Sequence, residues 1–232
     1  MSSTSQLSDL PQGVQLLGEA CFHEDFSVEH TEGHLSDVDS LGVLLPTMIR
    51  SASSCGDSFG AGEFQGVVSL GEKRGLVISI NDEKSCFRLF DGATIWSDLK
   101  DEKYERNWSQ SGFPLFYNLD YIGQVFKSLG SVKWYGLRDN EDNRWSQEFL
   151  DDSLDTNAVE SATMMTLQID MLLKGQDLPR GRIRLDFENG QLWIWASVTD
   201  DYLMAYTERV DNRSDLSAIE QLGEAFLLGP LV

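Results

Sequence analysis

The stretch Gly66-Val67-Val68-Ser69-Leu70-Gly71-Glu72-Lys73-Arg74-Gly75-Leu76-Val77-Ile78-Ser79-Ile80 decides how this chain is read, because a similar one begins again at Gly181. The second copy is Gly181-Arg182-Ile183-Arg184-Leu185-Asp186-Phe187-Glu188-Asn189-Gly190-Gln191-Leu192-Trp193-Ile194-Trp195. Both have a strand–turn–strand pattern, with apolar residues at alternate positions and a glycine at the turn. Val68 and Leu70 alternate with polar neighbours as Ile183, Leu185 and Phe187 do, and Gly75 and Gly190 stand 115 residues apart in a chain of 232. A third apolar run follows each hairpin, 86–90 in the first half and 202–206 in the second. Ser97-Asp98-Leu99 and Ser214-Asp215-Leu216 then read as helix N-caps with an acidic first turn.

Upstream of each meander the apolar period changes to that of a helix. Leu41, Leu44, Leu45, Met48 and Ile49 recur at i, i+3, i+4, i+7 and i+8, with Pro46 weakening this helix or marking its start. In the second half Ala162, Met165, Ile169 and Leu172 form one stripe of a helix over 158–174, capped by Asp155-Thr156-Asn157. Earlier still lie two hairpin candidates, 14–26 into 27–30 and 131–138 into 144–149. Charge divides evenly: residues 1–116 carry 8 bases and 18 acids, and residues 117–232 carry 10 and 20. A duplication, with repeats at 1–116 and 117–232, accounts for these shared offsets.

With a helix over 121–129 and a closing helix over 214–226, the second half becomes α-β-β-α-β-β-β-α. That order resembles the Roadblock/dynein light chain family. The resemblance covers about 112 residues of the second half. It is partial in the first half, whose opening helix is missing or replaced by a Ser-rich N-terminus. It implies an α+β fold of tandem Roadblock/profilin-like repeats, each a five-stranded antiparallel sheet with flanking helices. The tandem would act as an intramolecular version of the family's two-fold dimer, so a monomer is expected in solution. In this family the helices and sheet of a dimer form a platform for small Ras-like GTPases. Some members accelerate GTP hydrolysis by remodelling the GTPase rather than by donating an arginine.

Composition restricts the partners. Lys+Arg 18 against Asp+Glu 38 gives a net charge of −20, which disfavours nucleic-acid phosphates and anionic membranes. No apolar run approaches the ~20 residues of a membrane span, and the N-terminus lacks the pattern of a secretory signal. Cys21, Cys55 and Cys86 are few, odd in number and without CxxC spacing, as expected of a reducing cytoplasm.

Candidate chemistry is sparse. Gly56-Asp57-Ser58-Phe59-Gly60 matches G-x-S-x-G, but no histidine follows it, and a flexible helix-to-strand loop is the simpler reading. No phosphate-binding glycine loop is present, so neither a nucleotide nor any other cofactor is expected. His23, His30 and His34 cluster near Cys21 and several carboxylates, yet they read as a solvated acidic loop rather than a metal site. Eight acids and no Lys or Arg precede Arg50, which makes that N-terminal face strongly anionic. Arg180, Arg182 and Arg184 share one strand face. They either pair with acids such as Asp200, Asp201 or Glu208, or meet an acidic partner surface or the other half of this molecule. Trp193 and Trp195 read as core together with Trp134, on a strand expected beside theirs, while Trp96, Trp108 and Trp145 read as interface candidates.

The Roadblock resemblance implies a non-catalytic, protein-binding regulator acting on a small GTPase. Its docking face would lie on helices 41–54 and 158–174, with Met164, Met165 and Gln168 as adaptable contacts and the arginine stripe as a second contact. The alternative is an acidic chaperone or toxin-immunity protein that holds a basic partner through residues 19–39. An enzyme has least support, because no nucleophile and base converge.

Overall fold

A computed structural model describes residues 15–70, 74–80, 84–91, 119–139, 144–154, 156–176, 178, 181–197, 201–209 and 213–228. The elements run β1 (Gln15–His23), β2 (Val28–Gly33), α1 (Val38–Phe59), β3 (Phe64–Leu70), β4 (Arg74–Ile80) and β5 (Lys84–Asp91). After these come α2 (Leu119–Ser128), β6 (Val132–Asp139), β7 (Arg144–Phe149), α3 (Thr156–Gly175), β8 (Arg182–Phe187), β9 (Gly190–Ala196), β10 (Tyr202–Glu208) and α4 (Arg213–Leu228). The fold is α+β, with one antiparallel sheet of ten strands in the order β2-β1-β5-β4-β3-β8-β9-β10-β6-β7. Counted outward from the β3–β8 seam, the strands follow the same sequence on both sides. At the seam Val67 pairs with Leu185 and Ser69 with Ile183. The second half has the order of elements expected from its sequence. The candidate cap Ser97-Asp98-Leu99 lies outside the described residues.

Central strands have neighbours on both edges and helices on both faces, so they are apolar on both sides. Leu76, Ile78, Phe87, Leu89, Ile183 and Leu185 pack beneath α1 and α3. Val68, Val77, Phe90, Trp193, Trp195 and Leu203 pack beneath α2 and α4 with Ile122, Phe126, Ile219 and Phe226. The outer strand β2 is exposed along its whole length. Trp134 joins the α1/α3 core, on the opposite face from Trp193 and Trp195, and its strand neighbours β10 rather than β9. Trp145 is half-buried against Trp134 with ring centroids 6.1 Å apart, which makes it core-flanking rather than a free interface residue. Trp96 and Trp108 lie outside the described residues.

Helix α1 is longer than its sequence suggests and carries Pro46 inside it. Asp37 begins it, with the Ser40 amide donating to its carboxylate at 3.1 Å. Gly60 ends it in the left-handed conformation at φ 64, and its amide donates to the Asp57 carbonyl. The Ala61 amide closes the cap on the Gly56 carbonyl at 2.8 Å. The G-x-S-x-G run is therefore the last turn and cap of a helix, not a flexible loop. It also cannot be a nucleophile elbow, which needs a strand before its serine.

Two glycines fit the chain around aromatic rings. A Cβ at Gly75 would fall inside the Phe90 ring. On α4, a Cβ at Gly223 would fall inside the indole of Trp195, itself 1% exposed. Gly223→Ala is therefore expected to lower stability by about 2 kcal/mol, with overpacking outweighing the ~1 kcal/mol gain in helix propensity. Urea unfolding checks this, and a stabilised variant would show that α4 does not seat on Trp195.

Candidate functional site

Helices α1 and α3 lie antiparallel across the sheet. At one end the Ser58 and Ser161 hydroxyls are 3.0 Å apart. At the other, Gln176 clamps the Ser36 backbone, accepting from its amide at 3.2 Å and donating to its carbonyl at 2.7 Å. The inner face of α3 is fixed by packing and by a buried hydrogen bond from the Tyr202 hydroxyl to Asp170 at 2.6 Å. Ala162, Met165, Ile169 and Leu172 are buried there.

The outer face is a different surface. Val43 on α1 is 73% exposed, and Met164, Leu167 and Met171 on α3 are 55%, 42% and 53% exposed. These are four of the six large apolar side chains exposed among the described residues. Exposed apolar side chains on neighbouring helices make this face the candidate contact surface. Asp39, Arg50 and Asp57 on α1, with Glu160 and Lys174 on α3, are also exposed.

The expected docking residues thus divide. Met164 is on the surface, Gln168 is half-buried, and Met165 is fully buried in the core. Met165 belongs to the stripe that faces the sheet, so it offers a partner nothing. Val43, Leu167 and Met171 were not singled out by the sequence reading. Their signal was available: α3 is apolar at 164, 167 and 171 as well as along its core stripe, so the helix carries apolar side chains on a second, exposed side.

Arg182 and Arg184 lie on the other face of the sheet, beneath α4, and Arg180 is outside the described residues. Arg182 pairs with Glu224 at 2.7 Å, and Arg184 pairs with Asp186 at 2.8 Å while its guanidinium sits 5.4 Å over the Trp193 ring. Of the acids expected as partners, Glu208 is on β10, two strands away, Asp201 directly precedes that strand, and Asp200 lies outside the described residues. This stripe therefore anchors α4 and is not continuous with the α1–α3 face.

Glu220 on α4 lies in the same network. Burial pushes its carboxyl from 4.5 up to about 7; Arg184 opposes the shift, Glu224 adds to it and Arg182 opposes it. Because the folded state holds this proton more tightly, its stabilising contribution is complete below pH 4.5 and is lost as pH rises to 7. Glu220→Gln is expected to flatten that decline and to stabilise the chain by about 2 kcal/mol at pH 8. Urea midpoints measured from pH 4 to 8 test this, and parallel curves for the two proteins would count against it.

Elsewhere the chemistry is occupied. The Ser58 hydroxyl donates to the Ser54 carbonyl at 2.9 Å and meets Ser161, so it helps to join the helices. A cleft of about 530 Å³ beyond the end of α1 is lined by Asp151, Glu188, Glu208, Lys133 and Arg209 among others. Ser153 is held there by Asp151, and Lys133 by Glu208 at 3.2 Å. His23, His30 and His34 are spread along the β1–β2 hairpin and the turn after it. Among the described residues no three His, Cys, Asp or Glu side chains are grouped as a metal requires.

The cysteines differ from expectation. Cys21 and Cys86 sit opposite each other on β1 and β5, Cα atoms 4.2 Å apart, and form a disulfide. Their closeness depends on strand register across 65 residues, which spacing alone does not reveal. Cys55 is a buried free thiol. No described helix is long and apolar enough to cross a membrane. No protein family matches the chain, and no curated protein does either.

Proposed function

We propose that the chain is a tandem of two Roadblock-like repeats, 1–116 and 117–232, folded as an intramolecular pseudo-dimer. In this reading it is a non-catalytic regulator that docks a small Ras-like GTPase on the outer face of α1 and α3. The observation that carries the reading is the concentration of exposed apolar side chains on that face: Val43, Met164, Leu167 and Met171. The mirrored strand order about the β3–β8 seam supports the tandem arrangement. Methionines suit a surface that must follow a partner changing shape between nucleotide states. Such a regulator would work in the cytoplasm, a setting in which the buried Cys21–Cys86 bond is unusual.

Affinity capture of the tagged chain from its host, with a GTP analogue or with GDP, tests the reading. A small GTPase whose recovery changes with nucleotide, and falls at least tenfold with Leu167→Asp, is the expected result. Leu167 is 42% exposed, so that substitution leaves the core intact.

A second reading rests on the β1–β2 hairpin, where the wholly exposed β2 carries Glu29 and Glu32 beside Glu24 and Asp25. It makes the chain an acidic chaperone or immunity protein for a basic partner. Capture of a basic protein that is released by high salt and indifferent to nucleotide would select it over the first.

A further inference from the structure

The pairing of the two halves uses the inner edges of β3 and β8 and leaves the α1–α3 face open. A sheet complete within one chain therefore does not by itself make the protein a monomer. The outer ridge of α3 is arranged about a centre. Leu167 lies at its middle, with Met164 and Met171 to either side. Glu160 and Lys174 are also exposed, each seven residues from Leu167 in opposite directions. Seven residues are nearly two helical turns, so Glu160, Leu167 and Lys174 fall on one line along the helix.

We infer that this face closes on a second copy of the same chain, α3 against α3 in antiparallel orientation about a two-fold axis at Leu167. A two-fold contact must be self-complementary, because every pairing occurs twice. Here Leu167 meets its own equivalent, acidic Glu160 meets basic Lys174 of the second copy, and Met164 lies within one residue's rise, ~1.5 Å, of the level of Met171 of the second copy. The ridge charges are opposite in sign at the two ends, which is the condition that antiparallel self-packing sets. Parallel packing would place Glu160 on Glu160 and Lys174 on Lys174.

Net charge is compatible with the contact. The outer ridges of α1 and α3 carry Asp39, Asp57 and Glu160 against Arg50 and Lys174, so little of the chain's −20 is brought together. Val43 stands near Met171, because α1 runs antiparallel to α3 with Ser36 beside Gln176. It widens the apolar centre by one side chain from the neighbouring helix. The free protein would then shield Met164, Leu167 and Met171, and a docking partner would have to displace the second copy. This inference rests on the α1–α3 face being a protein-binding surface, not on the partner being a GTPase.

Sedimentation of the full chain from about 1 to about 100 µM tests it. Mass is expected to rise with concentration from 26.0 kDa to twice that value. Lys174→Glu sets two like-charge contacts in the interface and should weaken association at least tenfold. Adding Glu160→Lys to the same chain exchanges the two charges and should restore it. Both positions are exposed, so thermal midpoints should remain within a few degrees of the parent. A chain that stays at 26.0 kDa throughout overturns the inference, and so does an association that ignores Lys174→Glu or is not restored by the double substitution. A monomeric chain that still captures a GTPase in a nucleotide-dependent manner would sink the self-association alone. A self-associating chain that captures none would sink the docking reading alone.

Discussion

Phe59→Ala should lower the stability of the whole molecule by about 3–5 kcal/mol, the range for deleting a buried aromatic ring. Phe59 is 5% exposed and ends α1, an element of the first half, yet its ring neighbours belong to the second. It stacks on Tyr206 of β10 with centroids 4.5 Å apart and an interplanar angle of 30°. It also lies tilted against Trp134 of β6 at 5.7 Å. The adjacent backbone is held across the same boundary: Asn189 donates to the Ala61 carbonyl at 2.8 Å, and Glu188 to the Glu63 carbonyl at 2.9 Å. Removing the ring leaves a void between two large aromatics that are themselves fixed in strands, so little collapse can fill it. The effect should reach both halves, because the ring joins them. Urea unfolding followed by tryptophan fluorescence and by circular dichroism should give one coincident transition for both parent and variant. Two separated transitions, or a loss below about 1 kcal/mol, would mean that the halves are independently stable and merely abut.

The residues on either side of that boundary show what the sequence could disclose. The hairpins at Gly75 and Gly190, the helix over 158–174 and the order of elements in the second half follow from local periodicity and turn chemistry, and the structure contains them. Helix α1 extends beyond the 41–54 that periodicity marks, because the Gly- and Ser-rich residues after 54 carry loop signals, and it also accommodates Pro46. Packing of Leu41, Leu45, Met48, Ala52 and Cys55 on the sheet outweighs the one hydrogen bond it removes. The glycines at 56 and 60 suggested a loop, whereas one faces Phe187 at close range and the other closes the helix cap. The candidate docking set was half visible. Periodicity identifies which side of α3 faces the sheet, and by that rule Met165 is core. It does not say which apolar residues on the other side remain uncovered, since that depends on how far α1 reaches across. The partner of Arg182 was missed for a similar reason, whereas that of Arg184, Asp186 two residues on along the same strand face, was legible from alternation. Strand alternation gives the face they share, but only the packing of α4 brings Glu224 to Arg182.

Loss of the Cys21–Cys86 bond should cost about 4 kcal/mol, the chain-entropy expectation for closing a loop of 65 residues. The cost should be concentrated at one edge of the sheet. Among the described strands, β2 pairs with β1 alone and β1 joins the rest of the sheet through β5, so the hairpin is attached along one line of strand pairing. The disulfide crosses that line, next but one to the Arg88–Glu19 ion pair. Without it, fluctuations that peel β1 from β5 are no longer limited by a covalent link, and β2 leaves with its neighbour. Amide exchange in β1 and β2 should accelerate more than in β8 to β10, whose cross-strand contacts are untouched. Thiol counting provides an independent check. Cys55 is buried and its thiol is pushed up to about 12, so the native oxidised chain should react slowly with a thiol reagent. Unfolded without reductant it should show one thiol, and after reduction three, matching Cys21, Cys55 and Cys86. Urea midpoints for the parent with and without a dithiol, and for Cys21→Ala with Cys86→Ala, should place the reduced parent close to the double variant. Three thiols before reduction, or midpoints that do not move, would show that the register brings the two sulfurs together without joining them. The edge hairpin would then depend on its backbone hydrogen bonds and on the packing of Ala20 and Phe22 against Phe87 and Leu89.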